Sequence, residues 1–429
     1  MASELSADQI IPFRWPAGWT DPKLVSLLEG GPVNCVLFDD APAQSLAEAA
    51  RKAGLTVREW STLAPAPLAD TQWNSSAPIL AITEVAWPRI RPLARGDGAQ
   101  AVSGPTGAPW IDSSSWVARL AVSRAPGKQI WLGFAPPQDA PPSEAAYHIA
   151  IADCAAAAAR WMISLHSALG AGLAAGNADA LRIWRSMLDT LSFFEKRRAW
   201  RSYMHDGPLG VVSTFSGTNE FLSTEVLNLA ARRNLLYRVI DRSALAAADL
   251  AGLRAVLWMD PERPSGPLVD KLAAFGTAGG LLIAQRNVAL AFQAGKILDC
   301  PVTGYDLHAF GKGTLASPLR DWEDPYWVAV EVHNLVSRRY DPIRMFNASS
   351  LWVHNSVAPR GQGSLVQLVN FTGRPGGSVS LRIQKPHRSV AIHTLESGGP
   401  QPLKPVQVDK TLEYYLPSFS VYAALEVTA

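Results

Sequence analysis

A three-part α/β protein is predicted here: a compact (β/α) TIM-like barrel, then a flavodoxin-like α/β domain, then a small antiparallel β-sandwich. Three observations predict it. Short apolar runs alternate with helical patterns from Ile10 to Trp200. A second strand-and-helix series starts near Leu209. From Asp341 onward the helical period gives way to alternating runs broken by Gly, Pro, Asn and Asp. One core rarely serves more than about 250 to 300 residues, so 429 residues imply several domains. The texture changes divide them at 1–205, 206–340 and 341–429.

In the first part the predicted strands are Ile10–Arg14, Val33–Phe38, Leu55–Trp60, Pro78–Glu84, Gln100–Ser103, Gln129–Phe134 and Arg160–His166. Helices are predicted at Pro22–Leu28, Ala43–Ala53, Ser114–Ser123, Glu144–Ala159 and, as a long amphipathic element, Ala178–Trp200. Short apolar strands separated by helices imply a parallel sheet covered on both faces. Their number suits a compact barrel, one strand being irregular. An open doubly wound sheet fits less well, because no Gly-rich nucleotide loop follows the first strand.

In the second part GVVSTF, LLYRVID, AVLWMD and LLIAQ read as strands, and EFLSTEVLNLAARRN and PLVDKLAAFGTAGG as helices. The latter ends on glycines, as a helix C-terminus commonly does. Residues Lys312 to Tyr340 read as a crossover, helical at Pro325–Ser337. In the third part SLVQLVNF, SVSLRI, SVAIHTL, LEYYLP and SVYAALEV alternate as sandwich strands do.

Composition narrows the function. Lys+Arg 39 against Asp+Glu 37 leaves a net charge of +2, without the clustered basic excess that nucleic-acid binding needs. No run approaches the roughly 18 uninterrupted apolar residues of a membrane span. The opening MASELSADQIIPFRW lacks the basic and apolar regions of a signal peptide, so a cytoplasmic location is expected. A periplasmic or secreted one is expected instead if a leader has been removed. Cys35, Cys154 and Cys300 are too sparse for a disulfide framework. The eight histidines form no HExxH, so no metal is expected.

The segment from Ile79 to Trp116 carries the chemistry. Its strand ends on Glu84, with Trp87, Trp110, Asp112 and Trp116 close behind. Carboxylates at strand ends, interleaved with indoles, suit a sugar-cleaving site: the acids move protons or attack the anomeric carbon, and aromatic faces cover pyranose rings. Glu84 is the expected general acid, its carboxyl kept protonated beside Trp87. Asp112 is the expected base or nucleophile; its alternative is to cap the following helix. Asp39 and Asp40, after VLFDD, are expected to hold sugar hydroxyls or to cap the helix after Pro42. His166 is expected at the same mouth, or as a satisfied structural histidine. Arg89 and Arg91 would suit an acidic sugar, or are solvated loop residues. The loop STFSGTNE (213–220) is similar to a flavin-phosphate loop, but Glu220 opposes a phosphate. VLWMDPE offers no amidotransferase cysteine. No cofactor is expected.

Taken with the GKG of Gly311–Gly313, the stretch VVSTFSGTNEFLSTEVLNLAARRNLLYRVID and the domain order resemble the family-42 β-galactosidases and related bacterial glycoside hydrolases. The resemblance is looser over the shorter N-terminal barrel. It implies a carbohydrate substrate and a homo-oligomer, a trimer held by the middle domain. Those enzymes resemble other retaining barrels in placing an Asn-Glu acid/base after the fourth strand and a nucleophilic Glu after the seventh. Here Thr83 precedes Glu84, and RWMISLH offers Ser164 and His166 but no carboxylate. The chain is therefore expected to be a glycoside hydrolase-like enzyme or, alternatively, a catalytically silent sugar-binding or assembly protein of the same architecture.

Overall fold

The computed structural model describes residues 5–91, 110–348, 350–376, 378–408 and 411–429. Its first part contains β1 (Pro12–Arg14), β2 (Cys35–Phe38), β3 (Thr56–Glu59), β4 (Ala66–Pro67), β5 (Ile79–Thr83), β6 (Arg89–Ile90), β7 (Ile111–Asp112), β8 (Gln129–Leu132) and β9 (Arg160–Trp161). The accompanying helices are α1 (Gln44–Lys52), α2 (Ser115–Arg124), α3 (Glu144–Ala156), α4 (Ser167–Ala174) and α5 (Ala178–Glu195).

Strands β1-β2-β3 form one parallel sheet and β4-β5-β8-β9 another, and a parallel bridge from Phe13 to Ile163 joins them. The strands thus follow one another in sequence order, with the last beside the first. Among the described residues no ladder joins β3 to β4, so the expected ring is not closed by hydrogen bonds. Alternation still divides each strand between two environments. Cys35, Leu37, Ile79, Ala81, Trp131 and Met162 converge on one another. Val36, Phe38, Leu80, Ile82, Ile130 and Leu132 face the surrounding helices.

Several boundaries differ from expectation. The predicted strand Gln100–Ser103 lies outside the described residues. The long helix stops at Glu195, and a 3-10 turn over Arg198–Ser202 follows it. Helix α4 was not predicted: its Ala, Gly and Leu run has no amphipathic stripe to read. Helix α1 is capped at Ala43 and not by Asp39 or Asp40; α2 is capped at Ser114 and not by Asp112.

After α5 the chain lends β10 (Met204–His205) to the C-terminal part, then builds a seven-stranded sheet. Its strands are β11 (Leu209–Ser213), β12 (Tyr237–Asp241), β13 (Ala255–Trp258), β14 (Leu281–Ala284), β15 (Ile297–Leu298), β16 (Tyr305–Phe310) and β17 (Gly313–Pro318). They lie in the order β12-β11-β13-β14-β17-β16-β15, the first five parallel, which is the doubly wound flavodoxin order. Its helices are α6 (Glu220–Arg232), α7 (Pro267–Thr277), α8 (Arg286–Ala289) and α9 (Pro325–Val336). The crossover read from Lys312 therefore begins with a central strand. Gly311, at φ +61°, turns the hairpin into it, and a Cβ on Gly313 would strike the carbonyl oxygens of Gly276 and Gly280. The GKG sequence serves that close approach to the end of α7.

The third part comprises β18 (Ile343–Phe346), β19 (Leu351–Val357), β20 (Gly363–Asn370), β21 (Ser380–Ile383), β22 (Ser389–Thr394), β23 (Gln401–Leu403), β24 (Val406–Val408), β25 (Thr411–Tyr415) and β26 (Tyr422–Thr428). Two antiparallel sheets result, β10-β19-β20-β26-β22-β23 and β18-β21-β25-β24. Leu351, Val366, Leu381, Ile392, Tyr414 and Leu425 are among the residues of their common core.

The three parts are fused by a further core. Leu120, Ile149, Phe193 and Trp200 from the first pack with Val211, Leu227 and Tyr237 from the second and Trp352, Leu365 and Tyr422 from the third. Polar side chains cross the same seam. Arg119, 5% exposed, donates to His354 Nδ1 at 2.6 Å and lies over the Tyr237 ring at 4.8 Å. Arg124 pairs with Asp241 at 2.6 Å, and Trp200 donates to Glu426 at 2.8 Å. Burial and the neighbouring Arg119 push His205 down to about 3, with a weaker opposing pull from the Ala157 backbone. The same two causes hold His354 well below its ordinary range. Mean hydropathy follows no membrane pattern: no described helix is long and apolar enough to cross a bilayer.

Two outcomes follow from this packing. Trp131 is fully buried, so Trp131→Ala should destabilise the protein by about 3 to 5 kcal/mol in denaturant unfolding, whereas Val406→Ala, at a side chain 46% exposed, should stay within about 0.5 kcal/mol. The two junction histidines bind fewer protons folded than unfolded. Their contribution is therefore fully present above the ordinary histidine value of 6.5 and is lost as pH falls from there toward about 3. Unfolding midpoints should drop over that window, by up to about 1.4 kcal/mol per pH unit for each proton. His205→Gln should flatten the drop; a wild-type profile that is flat below pH ~6.5 would contradict this account.

Candidate functional site

At the C-terminal ends of the N-terminal strands, the ring mouth is filled by its own side chains. Arg14, ending β1, forms a two-point ion pair with Asp39 after β2, at 2.7 and 3.1 Å. The Arg14 guanidinium also lies 4.6 Å from the Trp60 ring centre. Gly133, after β8, lies against Met162, Thr83 and Trp60, so that a Cβ there would have to displace the end of the Met162 side chain. Asp39 is therefore committed to an arginine, while Asp40 beside it is exposed. Glu84 leaves β5 with φ +59°, a left-handed backbone that a non-glycine residue adopts at a cost of about 1 to 3 kcal/mol. Its side chain is exposed, and among the described residues no hydrogen bond or ion pair engages it.

Trp87 does not form a wall beside Glu84. It is 7% exposed and packs edge-on against Phe134, Tyr147 and Trp161, with ring centres 5.5 to 5.9 Å away. Trp116 is partly buried between two cores. His166 is 5% exposed and caps α4, its Nδ1 accepting from the Ala168 amide at 3.1 Å. That is the structural role weighed above, although its Nε2 is buried with no bonding partner.

Asp112 is placed elsewhere. It lies on β7, paired with β6 in a small hairpin whose connecting residues 92–109 are outside the described set. Arg91 donates to its Oδ1 twice, at 3.0 and 2.6 Å, leaving Oδ2 free of that pair. Trp110, two residues before, has the Arg91 guanidinium at 5.7 Å and that of Arg232 at 4.8 Å. Glu225 of α6 completes this group. Burial lifts its carboxyl above the usual glutamate range, opposed by the Asn228 amide and Arg91, and the negative charge of Asp112 adds to the rise. Among the described residues no hydrogen bond or ion pair links Asp112 to Glu84.

Sequence reasoning missed Glu225. Its signal was present: Glu225, Asn228 and Arg232 recur at helical spacing on the largely apolar second half of α6. Nothing local shows that this stripe faces a loop more than 100 residues earlier.

The loop Ser213–Glu220 also has an internal explanation. Asp260, fully buried after β13, accepts from Ser213 Oγ at 2.6 Å and the Thr214 amide at 3.0 Å, and pairs with Arg242 at 2.9 Å. Its carboxylate takes the donors that a phosphate would need. Among the described residues no group of three or more His, Cys, Asp or Glu side chains is placed to hold a metal ion.

No protein-family model matches the chain, and no curated protein matches it by sequence. Solved structures do. α-L-Fucosidase isoenzyme 2 from Paenibacillus thiaminolyticus is similar over 99% of this chain and 100% of its own, at 10% identity and a TM-score of 0.60. A GH42 β-galactosidase from G. stearothermophilus is similar over 76% of this chain and 63% of its own, at 9% identity and a TM-score of 0.43. A rhamnosidase from Novosphingobium sp. PP1Y is similar over 90% of this chain and 38% of its own, at 12% identity and a TM-score of 0.48. This chain thus spans less than two thirds of the galactosidase and rhamnosidase chains, and the whole of the fucosidase. The end-to-end likeness to the fucosidase shows a shared fold.

Proposed function

We propose that this protein is a glycoside hydrolase-like enzyme, built on a contracted (β/α) barrel of residues 1–205, a flavodoxin-like domain of 206–340 and a sandwich of 341–429. Its carboxylate pair is Asp112 with Glu225, and Trp110 supplies the flat face for a sugar ring. The observation that carries the reading is the contrast between the two acids. Glu225 is lifted by burial and by its neighbour's charge, as a proton donor must be. Asp112 is hydrogen-bonded to Arg91 through one oxygen, with the other left for a water or an anomeric carbon. This assignment keeps Asp112 as base or nucleophile and moves the acid from Glu84 to Glu225. Fold-level likeness to a glycosidase supports the reaction class by analogy only.

Hydrolysis of an aryl-glycoside panel separates the candidates. Glu225→Gln and Asp112→Asn should each lower kcat/KM by about 100-fold or more, with Glu84→Gln near wild type. Loss on Glu84→Gln with Glu225→Gln unaffected would return the acid role to Glu84. A second reading, a silent sugar-binding or assembly protein, is favoured by the mouth itself, which Arg14, Asp39 and Trp60 occupy. A wild-type protein that binds sugars and cleaves none would establish it.

The same reading makes the protein a homo-oligomer, a trimer held by the middle domain. Phe221 and Trp327, on α6 and α9 and 70% and 53% exposed, are the apolar surface such contact would cover. Light scattering should give a mass above that of one chain at micromolar concentration; a strict monomer contradicts it.

A further inference from the structure

A cavity of about 390 Å³ lies at the opposite end of the N-terminal strands, where they begin. Its walls come from the start of β8, the turn before β9, the segment leading into β10, and β12. Four cationic side chains line it, Arg119, Lys128, Arg201 and Arg238, against the single carboxylate of Asp249. Arg201 is accounted for, since Glu195 accepts from it at 2.8 Å. Arg238 gives its terminal nitrogens to the backbone oxygens of Asp249 and Ala251, and its Nε is buried without a partner. Lys128 Nζ donates to the backbone oxygens of Ser75 and Ala77, which leaves one of its three hydrogens for a ligand.

Arg119 is the anomaly. It is 5% exposed, its Nη2 is bonded to a neutral imidazole, and its Nε has no partner. The negative group that acts on the same cluster is Asp153, but its oxygens are taken by Ser113 and Ser114 at 2.6 to 2.7 Å, and among the described residues no carboxylate lies within ion-pair distance of Arg119. A buried guanidinium whose nearest carboxylate acts on it only at a distance is costly, and a directly paired one is much less so. Positive charge is therefore concentrated in a cavity that opens to solvent beside Ser202 and the 70% exposed Met204.

We propose that this cavity binds a small oxyanion between Arg119, Arg238 and Lys128. The ligand class is phosphate, sulfate or the carboxylate of a small acid, each matching guanidinium donors in shape and charge. Bound there, the anion would join the first and second parts at the seam where Arg119 already reaches the third. The site is separate from Asp112 and Glu225 and does not depend on their role.

Thermal unfolding of the full chain tests it, with sodium phosphate titrated at constant ionic strength against sodium chloride. A saturable rise of about 3 to 6 °C is expected with phosphate and none with chloride. Sulfate and glucuronate arms distinguish the source: a stronger response to glucuronate also supports the site and places the carboxylate on a sugar acid. Arg238→Gln and Lys128→Gln should each weaken the apparent affinity at least fivefold, Asp249→Asn should strengthen it, and Arg286→Gln, on α8 outside the cavity, should leave it unchanged. Isothermal titration with phosphate gives the same affinities should a variant be too unstable to melt cleanly. An unsaturable response shared equally by all anions, or a wild-type response in both Arg238→Gln and Lys128→Gln, would overturn the proposal.

Discussion

The fusion of three sheets through one seam is the constraint on which the rest of the structure depends. Helix α2 sits at its centre. One side carries Leu120 into the common apolar core, while Arg119 reaches β12 and β19 and Arg124 reaches Asp241. None of the three parts can shift without exposing apolar surface or stranding a buried charge, and the second is the more severe cost. Asp153 secures the start of the helix from within, binding Ser113 and Ser114 through both carboxylate oxygens. Burial raises its own carboxyl, and those hydrogen bonds work against the rise.

That seam also decides where the candidate chemistry lies. Asp112 stands three residues before α2, so the docking of α2 against β12 carries the β6–β7 hairpin toward α6. Asp112 then lies near enough to Glu225 for its charge to act on that carboxyl, with Arg91, Trp110 and Arg232 beside them. An acid that looked unremarkable on a helix surface becomes half-buried, and burial changes its proton affinity.

The ring mouth shows the converse. Polar and aromatic residues gathered at strand ends are what an open site would contain, yet Arg14, Asp39 and Trp60 satisfy one another. Trp87 and His166 are likewise spent on packing and capping. The strained Glu84 backbone and the unpartnered Nε2 of His166 are features that internal packing does not account for.

Much of the fold was legible because its signals are local. Short continuous apolar runs located β2, β5 and β8, alternating runs located β20, β21, β22, β25 and β26 of the sandwich, and the Gly-terminated pattern located α7. Strand β17 and helix α4 were not legible: one is mixed in polarity and framed by Gly and Pro, the other has no polar face to set against its apolar one. Of the site, the sequence by itself determined which acids and indoles were on hand, and that Asp112, Trp110 and Arg91 would travel together on one loop. Only the tertiary structure decided that Glu225 joins them and that Asp39 belongs to Arg14. Residue type and spacing are read within a few turns of chain. A carboxyl's partner and burial are set by elements that meet only after folding, here across more than a hundred residues.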